Sequence, residues 1–209
     1  MTRYRLRMRF RKTGDLRWIS HRDLVRTFER WFRRCGLRLR MSEGFHPKAK
    51  MSFPLALALG IAGERELMEF ELTESADVEE LRNRLTGRAP LGLEIVELQM
   101  LGAEERKAQV RRVTYQIPIP LPRQELLGEQ ITQLGRETSF LIQRDDSGRQ
   151  IDIKAGSDHL ELLEGSLHFR LLADRSGSVR PREVLQALGV ADLEHEGYYL
   201  TRTDVEIAA

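Results

Sequence analysis

Apolar and charged residues alternate one for one at the start of the chain, where Tyr4, Leu6, Met8 and Phe10 fall between Arg3, Arg5, Arg7, Arg9 and Arg11. A period of two belongs to a strand with one buried and one exposed face, so the arginines are expected to leave the same side of it. After a turn at Thr13-Gly14-Asp15, Ser20 with Asp23 three residues on resembles a capping box, which satisfies the free N–H groups of a first helical turn. In the helix this predicts, Leu24, Val25, Phe28, Trp31, Phe32 and Cys35 share one stripe, while Arg22, Arg26, Arg30 and Arg33 share the opposite one. Gly36 suits the position just past its last turn. Leu37, Leu39 and Met41 then alternate with Arg38 and Arg40, which predicts a second strand with a basic face.

An irregular stretch follows, with Gly44, Phe45, His46, Pro47, Lys48 and Lys50. Glu69 and Glu71 then alternate with Met68, Phe70 and Leu72 as a strand with an acidic face. Asp77 to Leu85 reads as a short helix, and Leu91 to Leu101 as a strand burying Leu93, Ile95 and Val96. Gly102 to Arg112 is a polar linker. The order recurs beyond it: a strand through Val113, Tyr115, Ile117 and Ile119 limited by Pro118 and Pro120, and a helix from about Gln124 to Leu134. Phe140–Gln143 and Ile151–Ile153 flank a hairpin turn at Asp145-Asp146-Ser147-Gly148. A strand through Leu167, Phe169 and Leu171, a helix between Pro181 and Gly189, and a final strand with Tyr199, Thr201, Thr203, Val205 and Ile207 on one face complete the pattern. The expected fold class is α+β, with two tandem ferredoxin-like (βαββαβ) units over residues 1–104 and 105–209, the second carrying an additional strand or hairpin.

Charge separates the two halves. Residues 1–50 hold 16 Lys/Arg against 4 Asp/Glu and the rest 18 against 28, so the overall +2 is the sum of +12 and −10. A basic half without an apolar anchor points to an anionic partner, with RNA ahead of a membrane. The alternative is a solvated surface, but three consecutive elements that each set an apolar side against an arginine side are more ordered than that reading requires. No apolar run reaches the ~20 residues of a membrane helix, and the chain opens on a charged strand rather than a signal peptide, which makes a cytoplasmic location the expectation.

Catalytic signatures are sparse. Walker-type, dinucleotide-binding, nucleophile-elbow and zinc-protease motifs are all absent from the sequence. With Cys35 the single cysteine, neither an internal disulfide nor a cysteine-ligated iron–sulfur cluster can form, and no cofactor or metal is expected. Cys35 itself reads as a packed core thiol. Of the five histidines, none pairs with another at i+3 or i+4. His46, in Gly-Phe-His-Pro-Lys, is the one placed to stack on a base or bond a phosphate, against the plainer reading of a structural loop histidine. The expected nucleic-acid-binding set is Arg3, Arg5, Arg7, Arg9, Arg11, Arg22, Arg26, Arg30, Arg33, Arg38, Arg40, Phe45, His46, Lys48 and Lys50, with the face of the first strand foremost.

The stretch Ser42 to Phe53, running on to Leu57-Ala58-Leu59-Gly60, resembles a signature of the radical-SAM-linked proteins, and Asp15 to Asp23, Glu69 to Leu72 and Val179 to Leu185 add to the likeness. Those are bacterial proteins of uncharacterised function encoded beside, or fused behind, a B12-binding radical SAM enzyme. The resemblance implies such a protein as partner and supplies no catalytic residues. The function expected on these grounds is a non-catalytic accessory that binds structured or single-stranded RNA, tRNA or rRNA, and presents it to the radical SAM partner, which would dock through carboxylates of the second half such as Glu161, Glu164, Glu183, Glu194 and Glu196. Two alternatives stand beside it: a metal-independent endoribonuclease using His46 with Lys48 or Lys50, and a pure protein–protein adaptor.

Overall fold

A computed structural model of the chain describes residues 4–144, 148–173 and 179–208; Arg3 and the Asp145-Asp146-Ser147 part of the expected turn lie outside them. The chain divides into two compact units, Met1–Gln109 and Val110–Ala209, both α+β.

In the first unit the opening alternation forms β1 (Tyr4–Lys12), with Leu6, Met8 and Phe10 sealed from solvent. A 3-10 turn (Gly14–Trp18) leads to α1 (His21–Arg34). There the Asp23 N–H donates to the Ser20 hydroxyl at 3.2 Å, and that hydroxyl donates to the Asp23 carboxylate at 2.7 Å. β2 (Met51–Ser52), β3 (Ala62–Leu72), α2 (Val78–Thr86) and β4 (Leu93–Leu101) follow. β1 lies between β4 and β3, antiparallel to both, and β2 pairs with β3. The apolar stripe of α1 covers one face of this sheet. Phe10 meets Phe28 edge-on at 4.9 Å, Phe32 meets Phe70 at 4.7 Å, and the Trp31 indole donates to the Leu85 carbonyl at 3.1 Å, which ties α1 to α2. Each such fully buried ring contributes about 1.5–3 kcal/mol by leaving water. On β4 a register shift opposite Arg9 and Phe10 leaves Val96 half-buried and turns Leu98 inward.

The expected strand over Leu37–Met41 does not form as a regular strand. Residues 38–50 make a hairpin arm instead, joined to β3 through the Leu39 to Leu72 bridge and closed on itself by Met41 to Ala49. Its backbone bonds run from Arg40 N–H to the Glu71 carbonyl, Glu71 N–H to Lys50, and Thr73 N–H to Arg38. The tip is held by Ser42 N–H to the Lys48 carbonyl at 2.7 Å and Lys48 N–H to the Ser42 hydroxyl at 3.0 Å. Gly44 turns it with φ 119, a conformation side-chain-bearing residues rarely adopt.

The second unit comprises β5 (Val110–Pro118), α3 (Leu121–Arg136), β6 (Leu141–Gln143), β7 (Gln150–Asp152), α4 (Ile153–Gly156), β8 (Ser157–Leu163), β9 (Ser166–Leu172), α5 (Pro181–Ala187) and β10 (Thr201–Ile207). Its antiparallel sheet runs β10-β5-β9-β8, and β6 pairs with β7 apart from it. Tyr115 and Phe169, opposite each other on β5 and β9, stack at 5.4 Å in the core. The last strand departs from strict alternation. A bulge between Arg202 and Asp204 places Arg202 and Val205 in the interior, where alternation had put Thr201, Thr203 and Val205 on one face.

Glu183 anchors α5. Arg144 forks onto its carboxylate, with Nη2 at 2.9 Å from Oε2, and the Arg180 N–H donates to the same oxygen at 2.7 Å. Burial pushes this carboxyl up, but the bonds from Arg144 and Arg180 outweigh it and hold the group below the ordinary glutamate range. A depressed folded value adds stability above the unfolded pKa, and this is lost as pH falls through the folded value. Glu183→Gln should therefore lower the stability of the second unit by about 3 kcal/mol at pH 7 and flatten its decline on acidification, as thermal unfolding from neutral to acidic pH would record.

Candidate anion-binding groove

The arginine face of β1 is not a free cationic surface. Antiparallel pairing sets Arg7 against Glu69 and Arg5 against Glu71. The Glu69 carboxylate, only 6% exposed, accepts from Arg5 Nη2 at 3.3 Å, from Arg7 Nη2 at 2.7 Å and Nε at 3.0 Å, and from the Ala108 N–H at 3.2 Å. Arg5 and Arg7 also donate to the carbonyls of Glu105 and Arg106, so residues 105–109 pack on the first unit rather than opening the second. Arg9 donates to the Arg65 carbonyl, and Arg11 pairs with Glu94 at 2.9 Å. The guanidinium row that the alternation singled out is thus largely spent on the acidic face of the neighbouring strand. Arg40 is turned inward in the same way, 3.7 Å from Glu71.

The remaining cations converge elsewhere. Arg22, Arg26 and Arg33, with Glu29, form one row along α1 at spacings of three and four residues, and the hairpin arm stands opposite with Arg38 and Lys48. Between the two walls lies an open groove of about 980 Å³. Its floor is apolar: Val25 from the edge of the helical stripe, and Leu37, Leu39, Met41, Pro47 and Ala49 from the arm. Leu37 and Leu39 rest on the hydrophobic core below, so the floor has rigid backing. Arg26 pairs weakly with Asp23 at 3.5 Å and Arg38 with Glu74 at 3.6 Å, both in solvent, where such pairs are worth little. Arg22, Arg33 and Lys48 make no side-chain ion pair or hydrogen bond among the described residues. Arg30 lies on the far flank of α1, around a smaller hollow with Thr27, Arg33, Arg34 and Pro90.

Phe45 stands fully exposed at the tip of the arm, 102% of its reference area, with His46 exposed beside it. No described residue bonds or orients the His46 ring, as a general base would require. Lys50 is half-buried on the arm, away from the groove lining. Trp18 is exposed too, but its ring is capped by Arg17 at 5.1 Å and does not line the groove. Cys35 is buried as expected. Its thiol donates to the Arg84 carbonyl at 3.6 Å, and burial pushes it up in pKa against the pull of Arg88, Arg84 and Arg34, which keeps it protonated. No cluster of three or more metal-ligating side chains occurs among the described residues.

The carboxylates expected to dock a partner are mostly engaged inside their own unit. Glu183 holds Arg144, Glu194 pairs with Arg182 at 2.7 Å, Glu196 with Arg123, and Glu161 lies 2.9 Å from His159. Sequence reading also missed the groove floor. Val25 looked like one more core position, and the adjoining row of Arg22, Arg26, Glu29 and Arg33 was the signal that it lies at the edge of the apolar stripe, half-buried in the groove floor.

Fold and site together define an α+β protein of two units whose first carries a basic groove with an apolar floor. A family model described as "Uncharacterized protein conserved in bacteria (DUF2344)" matches residues 5–181, and the chain belongs to that family. No curated protein matches it. The crystal structure of an unknown protein from Galdieria sulphuraria aligns over the whole of both chains at 12% identity with a TM-score of 0.30, too distant a likeness to inform fold or function. No helix among the described residues is long and apolar enough to cross a membrane.

Proposed function

We propose that the chain is a non-catalytic RNA-binding accessory protein that holds RNA, of the tRNA or rRNA kind, in the groove of its first unit for a radical SAM enzyme. The observation that carries the RNA reading is the trio Arg22, Arg33 and Lys48, which lines one groove with no side-chain ion pair among the described residues, in a lining of five cations against the one carboxylate of Glu29. Cations left unpaired around a concave surface gain most from a polyanion, because each phosphate they neutralise releases condensed counterions. The enzyme partner rests on the resemblance of Ser42 to Gly60 to the radical-SAM-linked signature, and the hairpin part of that segment builds one wall of the groove. We further take each unit as ferredoxin-like. The antiparallel orders β4-β1-β3-β2 and β10-β5-β9-β8, each with helices in its two crossovers, support that, with β6, β7 and α4 as an insertion in the second.

Filter binding of bulk tRNA to the full chain tests the first part. Affinity should fall by orders of magnitude between about 50 and 200 mM salt. Salt-independent binding, or none, would remove the RNA reading. Co-expression with a radical SAM protein encoded beside it should yield a complex on affinity purification, and its absence under gentle salt would remove the accessory role.

A further inference from the structure

We infer that the occupant of the groove is an unpaired stretch of a few nucleotides, its bases laid on the Val25, Leu39 and Met41 floor, its phosphates at the arginine rim, and the next base on the ring of Phe45. This rests on the RNA reading above and narrows it. A groove built only for phosphates needs no apolar floor, and Met41 is 47% exposed in a site ringed by charge, a surface that stays costly to hydrate until something flat and apolar covers it. A paired A-form helix is convex, hides its bases and presents ribose and phosphate, so it could touch only the rim. Unpaired bases supply both faces that the groove asks for: an apolar ring for the floor and a flanking phosphate for Arg22, Arg33 or Lys48. A volume of about 980 Å³ lies at the upper end of small-molecule sites, which suits a few nucleotides and not a long tract. Phe45 extends the platform. It is two residues from Pro47 in the groove lining, and the Ser42 to Lys48 closure with Gly44 at φ 119 presents its ring to solvent, where no contact among the described residues explains it.

Fluorescence anisotropy with the full chain and three labelled probes tests this: hexauridylate, the same ribose-phosphate chain without bases, and a fully paired RNA duplex of about one helical turn. Hexauridylate should bind at least about tenfold more tightly than either of the others. Met41→Ser and Phe45→Ala, both at exposed positions, should each weaken hexauridylate about fivefold with thermal unfolding unchanged. Equal affinity for the base-free chain, or a duplex bound as tightly as the single strand, overturns the inference and leaves RNA binding standing. Failure of all three probes, with an acidic peptide such as decaglutamate bound instead, overturns the RNA reading along with it.

Discussion

Charge reversal of Arg22, Arg26 and Arg33 together should lower RNA affinity about a hundredfold at ~0.1 M salt and reduce the salt dependence of what remains by about two phosphate contacts. All three project from the solvent side of α1, and among the described residues only Arg26 has an ion-pair partner to lose, the exposed Asp23 at 3.5 Å, so the melting temperature should move by a few degrees at most. Arg33 lies in the last turn, where a cation suits the helix dipole, and its reversal accounts for most of that small shift. Titration of labelled RNA at several salt concentrations, beside a thermal melt of the same preparation, gives both quantities. An unchanged salt slope in the triple variant would place the RNA elsewhere on the molecule.

Glu69→Ala should produce the opposite pattern: a large loss of stability in the first unit, about 3–5 kcal/mol, with RNA affinity per folded molecule unaltered. Glu69 is nearly buried and receives Arg5, Arg7 and the Ala108 N–H at once. Truncating it leaves two guanidinium groups side by side, at side-chain exposures of 19% and 12% where water screens them poorly, with only the half-exposed Glu105 carboxylate 3.8 Å from Arg7 as counter-charge. For a unit of this size each kcal/mol is worth roughly 4–8 °C, so the first melting transition should drop by more than ~12 °C. A shift within a few degrees would mean that the Arg5, Arg7 and Glu69 cluster is solvated and near neutral. The same geometry gives a caution for charge reversal on β1: Arg7→Glu would confront Glu69 directly, and lost RNA binding would then report unfolding.

Much of the core was legible in the sequence because it depends on local periods. Leu6, Met8 and Phe10 at period two and Leu24, Phe28, Trp31 and Phe32 at helical spacing fell where expected, with the Ser20 cap between them. The candidate site was legible only in part. Whether an arginine is free depends on what faces it, and the partner of Arg7 is Glu69, 62 residues away in a register no local pattern states. The ingredients were visible, an arginine row on one strand and a glutamate row on another, but not their pairing. Leu37 to Met41 carried the period of a strand, yet the turn at Gly44 folded it back as an arm bonded to β3 at only a few points. The final strand misled through its bulge, since one extra residue exchanges the faces of everything beyond it. The helical row of Arg22, Arg26 and Arg33 survives intact as a wall of the groove because all three stay exposed, with no strand of the described residues paired over them.

The hairpin arm has a second consequence, for self-association. Where Arg40, Lys50 and Arg38 bond to Glu71 and Thr73, they occupy backbone N–H and C=O groups that would otherwise lie open along that end of β3. Open strand edges are templates for pairing with another copy of the same chain, and lysines along a covering segment are one of the ways proteins discourage such growth. Excising residues 38–50 would therefore remove a wall of the groove and uncover an adhesive edge in the same stroke, which makes single charge and ring substitutions the cleaner way to take the site apart.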